Sequence, residues 1–419
     1  MKNIFRILSL FCLIMSGCSR NEYTAHITDT RLVSVSPANV YPGDLVTILG
    51  RNFSTRTKEN HVTIGGIESM TLEAYKDKLL VICPELEPGQ YSICVESPYG
   101  SAEDLTLNYM KVPDHEYLVT TAAGQNGAAG TSIDGVGTGA TFDLPTGLGK
   151  AADGSIWVMD RGSGLRGNKI RRIGQDLTVT TVADASAVNS AIWQGCFGPD
   201  GNWYFIDKAL GLLSRCTMDG SITNLASGMS SPMNVTFDKD GNLYVSARDN
   251  KAIYKFDKDM NRTIFAEIPE KPNYARFDPA GNLIVTTNSG YRILSVAPDG
   301  TISTIAGDGV KGSSYSDGFD GDPLSATLGE CRGFDFDSNG VMYFTDVSFH
   351  IIRKLTPGPD GNYAKGILET IAGSGGKGYA EGKGLNTKFN EPDDVLVYDD
   401  NTLYIADAQN HIIRKIAIR

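Results

Sequence analysis

Short apolar runs bounded by Gly, Pro, Asn and Asp recur along nearly the whole chain, and no stretch carries the spacing of a long amphipathic helix. Over residues 31–112 the runs alternate as strands do. Arg31-Leu-Val-Ser-Val-Ser-Pro37 precedes a turn at Tyr41-Pro-Gly-Asp44, and Val46 to Gly50 leads to Phe53. His61-Val-Thr-Ile-Gly-Gly66, Leu79 to Cys83 and Tyr91 to Val95 follow, with Pro88-Gly89 turning the chain between the last two. Strands this short, with a turn about every ten residues, predict a β-sandwich.

Beyond Val112-Pro113-Asp114 the pattern becomes repetitive. Six segments share one plan: an apolar strand, a turn, a second strand, then a third. The second strands read Ile156-Trp-Val-Met-Asp160, Trp203-Tyr-Phe-Ile-Asp207, Leu243-Tyr-Val-Ser-Ala247, Leu283-Ile-Val-Thr-Thr287, Met342-Tyr-Phe-Thr-Asp346 and Leu403-Tyr-Ile-Ala-Asp407. The turns fall at Gly154, Gly201, Gly241, Gly281, Gly340 and Asn401, 40 to 61 residues apart. That is the size of a four-stranded propeller blade with insertions. Units four and five end in Ser303-Thr-Ile-Ala-Gly307 and Glu369-Thr-Ile-Ala-Gly373, whereas the sixth stops without such a strand. The matching piece, Val119-Thr-Thr-Ala-Ala-Gly124, precedes the first unit. The expectation is a ring of six blades closed by its N-terminal strand, which leaves no open sheet edge.

Both regions resemble known families. The order S-x-x-P, then PGD-x-V-T-I-x-G-x-N-F, then PG-x-Y-x-I-x-V is similar to the TIG (IPT) immunoglobulin-like family, and the resemblance implies a spacer. The stretches Y-F-T-D-x-x-x-H-I-I-R-K at 343–354 and Y-I-A-D-x-x-N-H-I-I-R-K at 404–415 resemble NHL repeats, with weaker matches in units two to four. The resemblances imply an all-β chain: a TIG/IPT immunoglobulin-like β-sandwich over 31–112, then a six-bladed NHL-type β-propeller over 113–419.

In a four-stranded antiparallel blade successive connections alternate between two faces, so the loop after the second strand and the link to the next blade share one face, opposite the Asp-Gly turns. Nine residues before the turn position stand Pro145, Pro232, Pro272 and Pro392, with Ile192 and Cys331 in the other two units. The next residues begin the innermost strands and are expected to ring the channel mouth: Thr146, Trp193, Met233, Asn273, Arg332 and Asp393, followed by Gly147, Gln194, Asn234, Tyr274, Gly333 and Asp394. They differ from unit to unit, which suits an asymmetric ligand site. Trp193, Asn273, Tyr274, Arg332, Asp393 and Asp394 are therefore candidate ligand-binding residues. Trp193 would stack on a sugar or other flat ligand, with Arg332 and Asp393 bonding its polar groups; in the competing arrangement Arg332 and Asp393 form a salt bridge and Trp193 packs inside.

Three long insertions share that face: Gln125 to Thr141, Asp308 to Ala326 and Ser374 to Lys388. They add Tyr315, Phe319 and Tyr379 as candidates. The recurring Asp160, Asp207, Asp346 and Asp407, with Arg353 and Arg414, read as turn caps and ion pairs within blades, and His350 and His411 as equivalent repeat positions.

Lys2, Arg6 and the apolar run Ile7 to Met15 form a leader too short to span a bilayer, which takes about 20 apolar residues. Ile14-Met-Ser-Gly-Cys18 resembles a bacterial lipobox. That implies a signal peptide over 1–17, lipidation at Cys18, a linker over 18–30, and an outer-membrane lipoprotein facing the surface or the periplasm, held to the membrane by its lipid alone. A net charge of −11 argues against nucleic acid as a partner. Cys83 and Cys94 flank the Pro88-Gly89 turn, and both a disulfide and free thiols remain open. No cofactor is expected, although Asp317, Asp320 and Asp322 leave calcium open without completing a calcium-loop pattern.

Three functions are weighed. Anchor, spacer and elaborated propeller resemble the surface glycan-binding lipoproteins of Gram-negative polysaccharide-utilisation systems, which implies a polysaccharide or oligosaccharide ligand. A protein-protein interaction scaffold of the envelope would use the insertions instead. A metal-dependent lactonase- or lyase-type propeller enzyme would gather Glu330, Asn273, Asp393 and Asp394 around a divalent cation. With no GxSxG, HExxH or Gly-Lys-Ser sequence and no identifiable general base, a binding protein is expected and not an enzyme.

Overall fold

The structure, a computed structural model, describes residues 29–40, 43–87, 89–109, 115–162, 167–312 and 320–419. The expectations for the leader, Cys18, Tyr315, Asp317 and Phe319 fall outside these residues. Regular structure among the described residues is β-strand with single turns of 3-10 helix, and no helix is long and apolar enough to cross a membrane. The described chain forms two compact units, one of residues 29–36, 45–84 and 92–105, the other of 37–44, 85–91 and 106–419 with the gaps noted.

The described residues between 31 and 109 form two sheets. One orders Arg31–Ser36, Leu45–Arg51, Lys78–Ile82 and Thr71–Ala74; the other orders Asn39–Val40, Gly100–Tyr109, Gly89–Ser97, His61–Ile64 and Ile67–Ser69. Alternate residues point inward, so Val46, Ile48, Leu79 and Val81 of the first sheet are fully buried, as are Val62, Ile64, Ile93 and Val95 of the second. The hairpin expected around Pro88-Gly89 does not form. Leu45–Arg51 and Thr71–Ala74 already occupy both edges of Lys78–Ile82, so the chain crosses to the other sheet. Cys94 therefore pairs in register with Thr63 and keeps a free thiol, and no disulfide joins it to Cys83.

The larger unit contains six antiparallel sheets. Their inner strands are Pro145–Lys150, Ile192–Phe197, Pro232–Phe237, Pro272–Phe277, Cys331–Phe336 and Pro392–Asp399, so each inner strand starts at the proline or its stand-in. Each packs against the next, and Pro392–Asp399 packs against Pro145–Lys150. Tyr117–Gly124 is not part of the first sheet. It pairs with Ile412–Ile418 as the fourth strand of the sixth, from Tyr117 opposite Ile418 to Gly124 opposite Ile412. The insertions add a fifth strand to two sheets, Gly135–Val136 in the first and Gly382–Lys383 in the sixth.

The second strands explain why the repeats read as apolar runs and not as alternation. Every residue of Ile156–Asp160, Leu243–Ala247, Leu283–Thr287 and Met342–Asp346 is buried, because a neighbouring sheet covers each face. Trp157, Phe197 and Trp203 pack with ring centroids 4.9–5.8 Å apart between the first and second sheets. Each such buried side chain contributes about 1.5–3 kcal/mol. On one face of the unit the hairpin turns are alike: Gly154, Gly201, Gly241, Gly281 and Gly340 all take φ of 76–88°, a conformation costly for any side chain. Asp238, Asp278 and Asp337 each accept the backbone N–H four residues on at 2.8–2.9 Å.

Candidate functional site

The opposite face starts from an equally regular feature. Four second strands end in a buried Asp that takes backbone N–H groups from the segment entering the inner strand. Asp160 accepts from Asp143 and Leu144 at 2.9 Å, Asp207 from Ala191 at 3.1 Å, Asp346 from Gly329 at 2.8 Å and Asp407 from Asn390 at 2.8 Å. Arg171 and Arg414 complete two of these nodes as buried ion pairs at 3.1 Å. Burial pushes the carboxyls of Asp346 and Asp407 up to about 6, with Arg353 and Arg414 among the groups opposing it. The expected reading of these residues as turn caps and ion pairs fits this geometry.

One residue further along, the repeat breaks. The six sheets place Arg161, Lys208, Arg248, Asn288, Val347 and Ala408 there. The first two converge on Trp193 of the second inner strand: Arg161 Cζ lies 4.2 Å and Lys208 Nζ 4.1 Å from its ring centroid, and Arg332 Cζ lies 5.8 Å away. The indole is only 6% exposed. Cations occupy the ring surface that a sugar would need, so the stacking expected of Trp193 is replaced by a different role. The indole is a pedestal whose electron-rich face holds positive side chains, each contact worth about 0.5–2 kcal/mol.

Facing these cations are two carboxylates, both engaged. Glu330 Oε1 accepts from Arg332 Nε at 3.0 Å and lies 3.5 Å from Arg248 Nη2. Asp393 is paired with Arg332 Nη1, so the salt bridge weighed from sequence is present. Burial works to raise the Glu330 carboxyl, but Arg332 and Arg248 outweigh it and hold the group below its ordinary range. Asn273 is buried; its amide donates to Cys331 O at 2.8 Å and its carbonyl oxygen accepts from Arg248. Tyr274, on the fourth sheet, donates to Asp393 Oδ1 at 2.6 Å and lies 3.1 Å from Thr146 O on the first sheet. Its side chain thus reaches across the ring of inner strands to a cluster of charged side chains, Arg161, Lys208, Arg248, Glu330, Arg332 and Asp393, which form the polar cup of this face.

Two candidates lie elsewhere. Asp394 is fully buried and accepts the N–H groups of Leu148 and Val395 at 2.9 Å, because successive strand residues face opposite ways. It braces the sixth sheet to the first, as Asn234 braces the third to its neighbours through Gln194 Oε1 and Ala275 N. Tyr379 bonds Thr121 and Glu381 at 3.0 Å beside the outer strand of the sixth sheet, while Trp193 sits on an inner strand of the second. Asp320 is turned to Arg353 and Thr370, and Asp322 caps the turn at Leu324 and Ser325, while Asp317 lies outside the described residues. Among the described residues no group of three or more His, Cys, Asp or Glu is placed to hold a metal ion.

Next to the cup, sharing Glu330 and Arg332 with it, is an open cavity of about 650 Å³ lined also by Lys311, His350, Lys377 and Glu391. Two of the long insertions supply Lys311 and Lys377. His350 Nδ1 accepts the Glu391 N–H at 3.1 Å, so its proton sits on Nε2, and burial lowers its basicity. His411, its repeat equivalent, bonds the Asp143 carbonyl through Nδ1, which must carry the proton. Equivalent positions therefore use Nδ1 in opposite ways, as an acceptor in His350 and as a donor in His411.

Comparison with known proteins supports the architecture. A protein of unknown function from Bacteroides thetaiotaomicron superposes with a TM-score of 0.61 at 20% identity, over 93% of this chain and 98% of that one. An auxiliary nutrient binding protein from Bacteroides ovatus gives 0.59 at 19% identity, over 94% and 99%. A putative phosphatase from Bacteroides thetaiotaomicron gives 0.59 at 15%, over 94% and 98%. At these identities the likeness is one of fold. The curated protein Suppressor of Quenching 1, chloroplastic, from Arabidopsis thaliana is 33% identical over 79 residues, 19% of this chain and 7% of that protein. Residues 31–109 match the IPT/TIG domain model, and this part of the chain is an IPT/TIG domain.

Proposed function

We propose that the six sheets are the blades of an NHL-type propeller and that the cup and its adjoining cavity bind a glycan. The chain would work as an envelope lipoprotein anchored through Cys18, with the IPT/TIG domain as spacer. The observation that carries this reading is the break in the repeat. One face keeps its turns alike, while the other replaces a repeated position by Arg161, Lys208 and Arg248 around a polar cup. A fold shared with an auxiliary nutrient binding protein and with a putative phosphatase does not choose between functions, so the site must.

The site favours binding over metal-dependent catalysis. The carboxylates that would take a divalent cation are held by Arg248 and Arg332, Asp394 faces the first sheet, and an entering cation would meet four positive side chains.

The test is affinity electrophoresis of the purified chain in gels containing neutral and acidic polysaccharides, beside Lys208→Trp, which fills the cup. Retardation by at least one polymer, lost in the variant, is expected. Equal mobility of the native protein in every gel sinks the glycan reading.

A further inference from the structure

The cup has a charge sign that its composition does not suggest. In a chain of net charge −11, it gathers four cations, Arg161, Lys208, Arg248 and Arg332, against the two carboxylates Glu330 and Asp393. Those carboxylates are spent on Arg332 and Arg248. Among the described residues neither Arg161 nor Lys208 pairs with a carboxylate, and both are half-buried against one indole. Cations thus outnumber the carboxylates bonded to them in a partly desolvated place, where like charges repel more strongly than in water, and Asp393 and Asp143 act on Arg161 only through space. The repulsion is visible in Lys208: burial first, then Arg248, Arg332 and Arg161, bring its ammonium down to about 8 while Asp393 opposes them. Such an arrangement opposes its own folding, and opposing charge from outside would relieve it. The adjoining cavity adds Lys311 and Lys377, set against the carboxylates of Glu391 and Glu330.

We infer that the ligand is an acidic saccharide whose oxyanion seats between Arg161, Lys208 and Arg248 on the Trp193 pedestal. The inference rests on the glycan reading and names its chemical class. A guanidinium and an ammonium fixed by a rigid ring offer N–H donors to a carboxylate or a sulfate, and charge-assisted bonds of this kind are the strong ones. The Lys311 and Lys377 wall, reached past Arg332, is placed for a second acidic residue of the same polymer.

The experiment uses matched pairs on the full chain: polygalacturonate against its methyl ester, dextran sulfate against dextran, and inorganic sulfate alone. Arg161→Gln and Lys208→Gln report on the cup, and Lys239→Gln, exposed on the turn face, controls for net charge. Retardation by a charged polymer but not its neutral partner is expected, weakened at least tenfold by either cup variant, unchanged by Lys239→Gln, and falling as salt rises. Polygalacturonate and dextran sulfate separate the carboxylate from the sulfate source. Equal retardation by a charged polymer and its neutral partner, unmoved by the cup variants, overturns the anion inference and leaves the glycan reading standing. Silence of every polymer with a sulfate-dependent rise in Tm lost in Lys208→Gln keeps the oxyanion site and removes the glycan. Silence of polymers and sulfate alike overturns both. Urea midpoints of each cup variant, expected at or slightly above the native value because a repelling cation is removed, show that lost binding is not lost folding.

Discussion

Two sets of positions in the larger unit, at the ends of its second strands, differ by a single step along the chain. The first repeats Asp160, Asp207, Asp346 and Asp407, each buried and bonded to its own sheet's entry segment. The second, one residue on, holds Arg161, Lys208, Arg248, Asn288, Val347 and Ala408. A position whose duty is to hold a sheet together keeps its residue where that duty recurs, here in four of the six sheets, with Ala247 and Thr287 in the third and fourth. A position facing an asymmetric ligand has no such constraint. Regularity thus marks the scaffold and its failure marks the site, and the regular set supplies the stiffness that keeps mutually repelling cations in place.

The sharpest break of this comparison comes from the scaffold set. Asp407→Ala leaves Arg414 buried without its carboxylate and removes acceptors for Asn390 N and Asn410 Nδ2. Losing one member of a buried pair costs about 3–5 kcal/mol, to be read as a lower urea midpoint with unchanged slope. The folded fraction should bind as the native protein does. A variant of native stability would remove the structural meaning of the repeated Asp.

Much of this organisation was legible in the sequence. The inner strands begin at the aligned proline positions, and Val119 to Gly124, ahead of the first unit, pairs with the third strand of the sixth sheet as its match to the repeat implied. The expected hairpin between Leu79 to Cys83 and Tyr91 to Val95 failed, since a turn signal does not reveal that both edges of a strand are already taken. At the site, sequence placed Trp193, Asn273, Tyr274, Arg332 and Asp393 near one mouth but could not say which way each side chain turns. Asp394, one step from Asp393, faces the neighbouring sheet. Arg161, Lys208 and Arg248 were missed although the signal was present: two arginines and a lysine stand at the aligned position just after the second strand. That cations would cover the indole is a matter of packing, which no pattern of residues contains.

Tyr274→Phe probes the boundary between the two sets with a smaller effect. Its hydroxyl belongs to the irregular set, yet it serves the scaffold by bonding Asp393 beside Thr146. Loss of one hydrogen bond to a charged group costs about 1.5–3 kcal/mol. The same urea titration should show that drop, with weaker ligand retention because Asp393 also fixes Arg332. Retention unchanged alongside lowered stability would make Tyr274 purely structural.

The smallest effect is the most specific. Arg161, Arg248, Arg332 and Asp393 are the charged groups that face Lys208, and burial together with the three arginines sets its ammonium at about 8, against about 10.4 in an unfolded chain. Between these values the unfolded chain keeps a proton that the native protein has released. The unfolded state then binds more protons, so stability rises with pH across that window. The rise is read from about pH 8 to 9.5, below the range where tyrosines ionise. Because Lys208 is only half-buried, solvent screening keeps the gain below about 1 kcal/mol. Affinity for an acidic polymer moves the other way, falling as Lys208 loses its charge. Lys208→Gln should flatten both curves. If the variant keeps the native slope in stability, the strain lies elsewhere than in the cation cluster, and the contrast between a stiff scaffold and a self-repelling site loses its electrostatic basis.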